Sequence, residues 1–73
     1  MEKTRIGLNA GKVWRILSEK GELSMYDLCH ELSLTFEETA LAIGWLARED
    51  KVFLRKREGM LLVSIENVEF SFG

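Results

Sequence analysis

Residues 24–65, SMYDLCHELSLTFEETALAIGWLAREDKVFLRKREGMLLVSI, change their hydrophobic period part of the way along, and this change decides the fold. Over residues 24–50 the apolar side chains recur every three or four positions, with one break near Ser33, which is typical of two amphipathic helices. Over residues 51–65 this spacing is lost, and two runs of Val, Phe, Leu and Met flank a Glu-Gly pair that suits a tight turn, with Gly59 supplying a positive φ. The stretch therefore predicts two helices followed by a β-hairpin.

Two residues of the N-cap type mark where these two helices begin. Ser24 and Asp27 approximate a capping box, and Thr35 and Glu38 complete one. Two N-caps separated by a single short helix are what a helix-turn-helix requires.

An apolar stripe ahead of this stretch predicts one more helix. Its members are Ala10, Val13, Ile16 and Leu17. We place the start of this helix near Leu8 or Asn9, with Asn9 as the N-cap, and its end at Gly21. Residues 22–24 are then expected to form a very short strand.

The same periodicities predict the core and the extent of the domain. The expected core residues are Val13, Ile16, Leu17, Leu28, Leu32, Ile43, Leu46, Val52 and Leu54. Residues 68–72 alternate apolar and polar side chains, which predicts a further strand or an apolar tail. The 73 residues contain no proline, repeat or low-complexity linker, so we expect residues 1–73 to form one domain.

The chain resembles the winged helix-turn-helix superfamily over nearly its whole length. The residues that carry the resemblance are Thr39, Ile43 and Leu46, followed by residues 48–52, REDKV, which look like the end of a recognition helix and the start of a wing. Residues 42–49, AIGWLARE, also resemble an uncharacterised group of short bacterial winged-helix proteins. The resemblance implies an α+β fold of three helices plus a β-hairpin wing. The superfamily includes transcription regulators, protein-interaction modules and dimerisation domains, so fold alone does not settle function.

Charge is distributed unevenly along this predicted fold. Residues 24–47 carry no Lys or Arg, and their acidic side chains are Asp27, Glu31, Glu37 and Glu38. The predicted wing is basic, with Lys51, Arg55, Lys56 and Arg57. Because carboxylates are repelled by phosphates, we predict that any binding of double-stranded DNA is weak and comes mainly from the wing. Two to four phosphate contacts would give a salt slope of roughly -2 to -4 in log-log terms.

The outward face of the third helix indicates a protein contact instead. If Phe36 faces the core with Thr39, Ile43 and Leu46, the outward residues are Glu37, Glu38, Leu41, Ala42 and Trp45. Leu41 and Trp45 form an apolar pair of the kind enriched at protein interfaces.

We therefore predict a homodimer in which two copies of this helix meet antiparallel, with the twofold axis near Ile43. Leu41 of one copy then faces Trp45 of the other, and Glu38 faces Arg48. Edge pairing through Val68, Phe70 and Phe72 is the rival interface.

The reactive side chains predict no catalytic or metal site. Cys29 shares the apolar face of Met25 and Leu32 and is expected to be a buried, inert thiol, while His30 falls on the polar face. Neighbours on a helix point about 100° apart, so Cys29 and His30 cannot readily share a proton. Since the sequence contains no phosphate-binding glycine loop, paired catalytic carboxylates or Cys/His cluster, it indicates neither an enzyme nor a cofactor, metal or small-molecule substrate.

The polar start of the chain and the lack of any apolar stretch of roughly 20 residues argue against a signal peptide or a membrane span. With a single cysteine, the chain is expected in the cytoplasm. Three functions stay open: a small DNA-binding module of the transcription-regulator type, a protein-interaction or homodimerisation module that does not bind DNA, and a structural remnant without a ligand.

Overall fold

The computed structural model describes residues 2–65, which form three helices and three strands. In chain order these are α1 (Glu2–Lys20), β1 (Glu22–Ser24), α2 (Met25–Leu32), α3 (Phe36–Arg48), β2 (Phe53–Arg57) and β3 (Met60–Ser64). The two predicted helices, the short strand and the hairpin are confirmed. The strand predicted around Val68, Phe70 and Phe72 lies outside the described residues.

The first helix begins nearly two turns earlier than the sequence pattern predicted. α1 starts at Glu2, and Asn9, the expected N-cap, is a buried residue within it. Asn9 is of the N-cap type, and Gly7 in the added segment disfavours a helix locally by roughly 1 kcal/mol relative to alanine. Ile6 nevertheless extends the apolar stripe toward the N-terminus, and packing against α3 supplies stability that local propensity does not.

The predicted stop of α1 and the predicted helix starts are confirmed. Gly21 adopts φ +89°, and its N–H donates to the Leu17 carbonyl at 2.7 Å. At the start of α2, the Asp27 N–H donates to Ser24 Oγ at 3.1 Å. These local hydrogen bonds fix the orientation of each helix relative to the chain that enters or leaves it.

Thr35 and Glu38 form the complete capping box at the start of α3. The Glu38 N–H donates to Thr35 Oγ1 at 3.0 Å, and the Thr35 N–H donates to Glu38 Oε1 at 2.9 Å. Ser33, at the end of α2, takes the left-handed conformation with φ 53°, so the chain turns sharply between the two helices. The helix-turn-helix is therefore held by local backbone signals.

The wing is a tight hairpin of β2 and β3, and β1 completes a three-stranded antiparallel sheet within residues 2–65. Glu58 and Gly59 have φ values of 52° and 80°, so both central residues of the turn are left-handed, which matches the twist of the flanking strands. The strand order is β1-β3-β2, and Leu54 and Leu23 both lie opposite Val63. Val63, in the central strand, is fully buried.

Among the residues that the structure describes, ten apolar side chains form the buried core. They are Ala10, Val13, Leu17, Met25, Leu28, Ala42, Ile43, Leu46, Val52 and Val63. Six of the nine predicted core residues are among them, and Ile16 and Leu32 pack against the cluster while half-buried. Leu54 was predicted wrongly: it is 45% exposed, because β2 is an edge strand of the sheet.

Two positions on α3 also depart from the predicted faces. Phe36 was expected in the core but is 60% exposed, because it is the first residue of the helix, before the side chains that meet the core begin. Ala42 was expected to face outward but is fully buried. Ala42 belongs to the buried core cluster, and α3 makes its most extensive helix–helix contact in the described part of the chain with α1.

Candidate nucleic-acid and protein interfaces

One of the four predicted phosphate ligands is engaged within the sheet. The Arg55 guanidinium donates through Nε and Nη2 to the two carboxylate oxygens of Glu22, both at 2.9 Å. Glu22 lies in β1 and Arg55 in β2, so this bidentate ion pair reaches across the central strand. The two side chains are 25% and 30% exposed. Arg55 is therefore held on the sheet face by its acidic partner.

The other three predicted ligands lie nearer to solvent. Lys56 and Arg57 are exposed at the end of β2, next to the turn, and point to opposite faces of the strand. Lys51 precedes β2, and its Nζ lies 3.7 Å from Glu49 Oε1. The available positive charge of the wing is thus concentrated at its tip.

Arg55 also shifts the titration of its partner. Its hydrogen bonds, with a further contribution from its charge, lower the pKa of Glu22 below the ordinary glutamate value even though partial desolvation acts in the opposite direction. Because the pKa is lower in the folded state, the ion pair stabilises the fold above the unfolded-state pKa of about 4.3. That stabilisation is lost as the pH falls through the folded-state pKa.

We expect Glu22→Gln to lower the free energy of unfolding by about 1 kcal/mol at pH 7, since bidentate geometry places this pair at the upper end for partly exposed ion pairs. The difference from the wild type should shrink steadily on acidification below pH 4. Urea unfolding followed across this pH range measures both effects. Glu31→Gln is the control, because Glu31 pairs with Lys20 at 3.7 Å on the surface and should cost much less. A pH-independent difference for Glu22→Gln would contradict the assignment.

Beyond Phe36, the exposed residues of α3 form a single line, which we call the outer ridge: Glu37, Leu41, Gly44 and Arg48. They follow at i, i+4, i+7 and i+11, which places them within about 60° of one another around the helix axis. Leu41 is 55% exposed. A Cβ added at Gly44 would meet open space, so the ridge has a gap at this position.

Glu38 and Trp45, which the sequence analysis placed on the outward face, have partners within the chain. Glu38 accepts a hydrogen bond from Arg5 Nη2 at 3.1 Å in addition to capping α3. The backbone hydrogen bond from Thr35 is the main cause of its lowered pKa, and the charge of Arg5 adds to the effect. Trp45 is half-buried and packs against the core.

Trp45 also forms one wall of a groove between α1 and the C-terminal end of α3. The groove has a volume of about 500 Å³ and is lined by Gly7, Ala10, Gly11, Trp14, Trp45, Leu46, Glu49 and Lys51. Sequence analysis missed this feature. Its signal was the spacing of Gly7, Gly11 and Trp14, at i, i+4 and i+7, which sets two residues without side chains beside an indole.

Cys29 was expected to be buried but is half-buried. Its Sγ donates a weak hydrogen bond to Thr39 Oγ1 at 3.3 Å, because the thiol faces the start of α3 across the turn between the helices. His30 is exposed, as predicted. Within residues 2–65, no group of three or more His, Cys, Asp or Glu side chains is placed to hold a metal ion. No helix in this range has the length and apolar character needed to cross a bilayer.

Comparison with known proteins identifies the fold family. Residues 1–65 match the family described as "Winged helix-turn-helix domain (DUF2582)". The chain is 34% identical over 65 residues to the uncharacterised protein MJ1608 of Methanocaldococcus jannaschii, a match that spans 85% of this chain and 91% of that protein. That residues 66–73 belong to the same domain stays a prediction.

The chain is also similar to a solved structure, the solution NMR structure of protein BT2368 from Bacteroides thetaiotaomicron. The two share 44% sequence identity with a TM-score of 0.82, over 100% of this chain and 90% of the other. The predicted resemblance and the predicted α+β winged-helix fold are therefore confirmed.

Proposed function

Since the chain belongs to the winged helix-turn-helix domain family (DUF2582), we propose that it is a DNA-binding-type module, of the transcription-regulator kind, that contacts duplex DNA weakly and through its wing. The observation that supports this proposal is the placement of Lys56 and Arg57 at the exposed tip of the hairpin. The third helix offers little for reading bases. Of the four residues on its outer ridge, Arg48 alone has a side-chain hydrogen-bond donor, and Glu37 repels phosphate.

The ion pairs of the wing set the expected strength of this contact. Lys51, Lys56 and Arg57 supply two or three phosphate contacts, while Arg55 adds one only when Glu22 releases it. Each contact contributes about 0.9 to the dependence of log K on log salt. We therefore expect a slope of about -2 to -3, with little preference among sequences.

Charge reversal at the wing tip tests this proposal. The double variant Lys56→Glu/Arg57→Glu should weaken duplex binding by about tenfold or more and flatten the salt slope by about 2, because two phosphate contacts are lost. Fluorescence anisotropy with a labelled duplex at several salt concentrations measures both quantities.

The matched control is Lys12→Glu/Arg15→Glu, which makes the same change in net charge at exposed positions of α1. It should retain the wild-type salt slope. An equal loss in the two double variants would show that net charge, not the wing, drives binding. Tight, sequence-specific binding that survives reversal at the wing tip would overturn the proposal.

A specific observation also favours the second candidate function, a protein-interaction or homodimerisation module that does not bind DNA. Leu41 and Trp14 are large apolar side chains exposed on neighbouring helices, and exposed apolar residues of this size are common at protein interfaces. An antiparallel pairing of two α3 helices, with Leu41 of one copy against Trp45 of the other and Glu38 against Arg48, remains a proposal. So does the rival pairing through Val68, Phe70 and Phe72.

A further inference from the structure

We infer that the outer ridge of α3 is the docking surface for a second copy of this chain, in a twofold register that pairs Glu37 with Arg48 and Leu41 with Gly44. The inference rests on the homodimerisation candidate above and specifies its contact residues. It differs from the pairing of Leu41 with Trp45 because all four ridge residues are exposed, whereas Trp45 is half-buried.

The side chains along the ridge are ordered so that two antiparallel copies complement each other. From its start to its end the ridge presents a carboxylate, a large apolar side chain, a glycine and a guanidinium. An antiparallel copy presents the same groups in reverse. A twofold axis between Ala42 and Ile43 therefore places Glu37 of each copy opposite Arg48 of the other. Both pairs lie about 8 Å from the twofold axis, measured along the helix.

The shape of the ridge is self-complementary in the same register as its charges. Leu41 projects from the ridge and is 55% exposed, while Gly44 leaves open space where a side chain would stand. In the proposed register each Leu41 lies about 2 Å from the twofold axis, measured along the helix. It faces the gap at Gly44 of the other copy. Small residues at a crossing point let two helices approach closely, so each leucine can be buried against helix backbone and neighbouring side chains.

Other arrangements of the ridge lack this match. A parallel pair of α3 helices sets Glu37 against Glu37 and Arg48 against Arg48, and like charges in contact oppose association. An axis at Ile43 sets Glu37 near Glu49 and requires Glu38 to reach Arg48 of the other copy. Glu38 is already bonded to Arg5 and to the Thr35 N–H of its own chain.

The register has a consequence for DNA. Docking through the outer ridge covers the side chains that would face the major groove, while Lys56 and Arg57 lie outside the contact. In this dimer α3 cannot read bases, so any contact with duplex DNA has to come from the wing.

Charge exchange between two positions tests the register. In sedimentation velocity from micromolar to hundreds of micromolar protein, Glu37→Arg and Arg48→Glu should each weaken self-association by about tenfold, since each creates like-charge contacts in both halves of the dimer. The double variant Glu37→Arg/Arg48→Glu should recover wild-type association. An equimolar mixture of the two single variants should form a heterodimer more readily than either variant self-associates.

Two further variants separate the register from its alternatives. Gly44→Ala fills the gap with a methyl group and should weaken self-association severalfold, although the free chain becomes more stable. Trp45→Ala should leave association within about twofold of the wild type, because Trp45 faces the groove.

The possible outcomes distinguish the inference from the candidate function. The register is overturned if the wild type is a dimer, Trp45→Ala dissociates it, and the double variant Glu37→Arg/Arg48→Glu does not recover the association that the single variants lose. Homodimerisation then stands, but through another surface. A wild-type chain that stays monomeric at hundreds of micromolar overturns both. Restoration of the dimer by the charge exchange, with Trp45→Ala still dimeric, supports the register directly.

Discussion

Leu28→Ala is expected to lower the free energy of unfolding by about 3–4 kcal/mol, because Leu28 is fully buried where α2 packs on the core. Removing its isobutyl group loses the transfer free energy of the buried atoms and leaves a cavity that the neighbouring elements fill only partly. Small domains have limited stability to lose, at roughly 0.05–0.15 kcal/mol per residue. We therefore expect the variant to be partly unfolded at 37 °C.

Leu54→Ala is the matched control, because it makes the same chemical change at a site that the sequence pattern assigned to the core. Leu54 is 45% exposed on the edge strand, so its removal should cost about 1 kcal/mol or less. Urea unfolding followed by circular dichroism and tryptophan fluorescence measures both variants. Equal losses would mean that the wing packs on the core more closely than the structure shows.

Elements with strong local signals were predictable from the sequence. Thr35 with Glu38 and Ser24 with Asp27 locate the starts of α3 and α2, and Gly59 locates the hairpin turn. These signals depend on hydrogen bonds and φ values within a few residues, so the sequence contains all the information that they require.

Features that depend on packing between distant segments were predicted less well. α1 was placed too short because Asn9 is a residue of the N-cap type, whereas packing against α3 favours helix on both sides of it. The sequence around Leu54 has the alternation expected of a strand residue that points to the core. How exposed that residue is depends on whether its strand is central or at an edge, and this is decided by the order of strands in the sheet.

The candidate site likewise has some features that the sequence predicts and others that depend on packing between distant segments. The contrast between an acidic helix-turn-helix and a basic wing is visible in the sequence. The ion pair of Arg55 with Glu22 is not, because it joins residues 33 positions apart through the register of β1, β3 and β2. Likewise, the groove beside Trp45 exists only because α1 crosses α3 there. Sequence thus predicted the type of surface, and tertiary packing decided which side chains are available on it.

Ala42→Asp is expected to cost at least about 3 kcal/mol more than Leu41→Asp, the substitution one position earlier on the same helix. Ala42 is a fully buried residue of α3 in the core cluster, so a carboxylate there is both oversized and desolvated, and the short side chain cannot extend to water. Leu41 lies on the outer ridge, where aspartate remains hydrated and costs little beyond its helix propensity of less than 1 kcal/mol. Dilute samples keep self-association out of the comparison.

The pH dependence of the two variants provides a second measurement, and the expected pKa shift of the introduced carboxyl group is opposite in direction to that of Glu22. Burial raises the pKa of a carboxyl group, so the penalty at Ala42→Asp should be largest near neutral pH, where the unfolded chain is ionised. It should shrink as the pH falls through the raised folded-state pKa, because the neutral acid is less costly to bury. Leu41→Asp should show no such recovery on acidification. If Ala42→Asp behaved like Leu41→Asp at every pH, residue 42 would face solvent as the helical periodicity alone predicts, and α1 would not cover α3 in the way described.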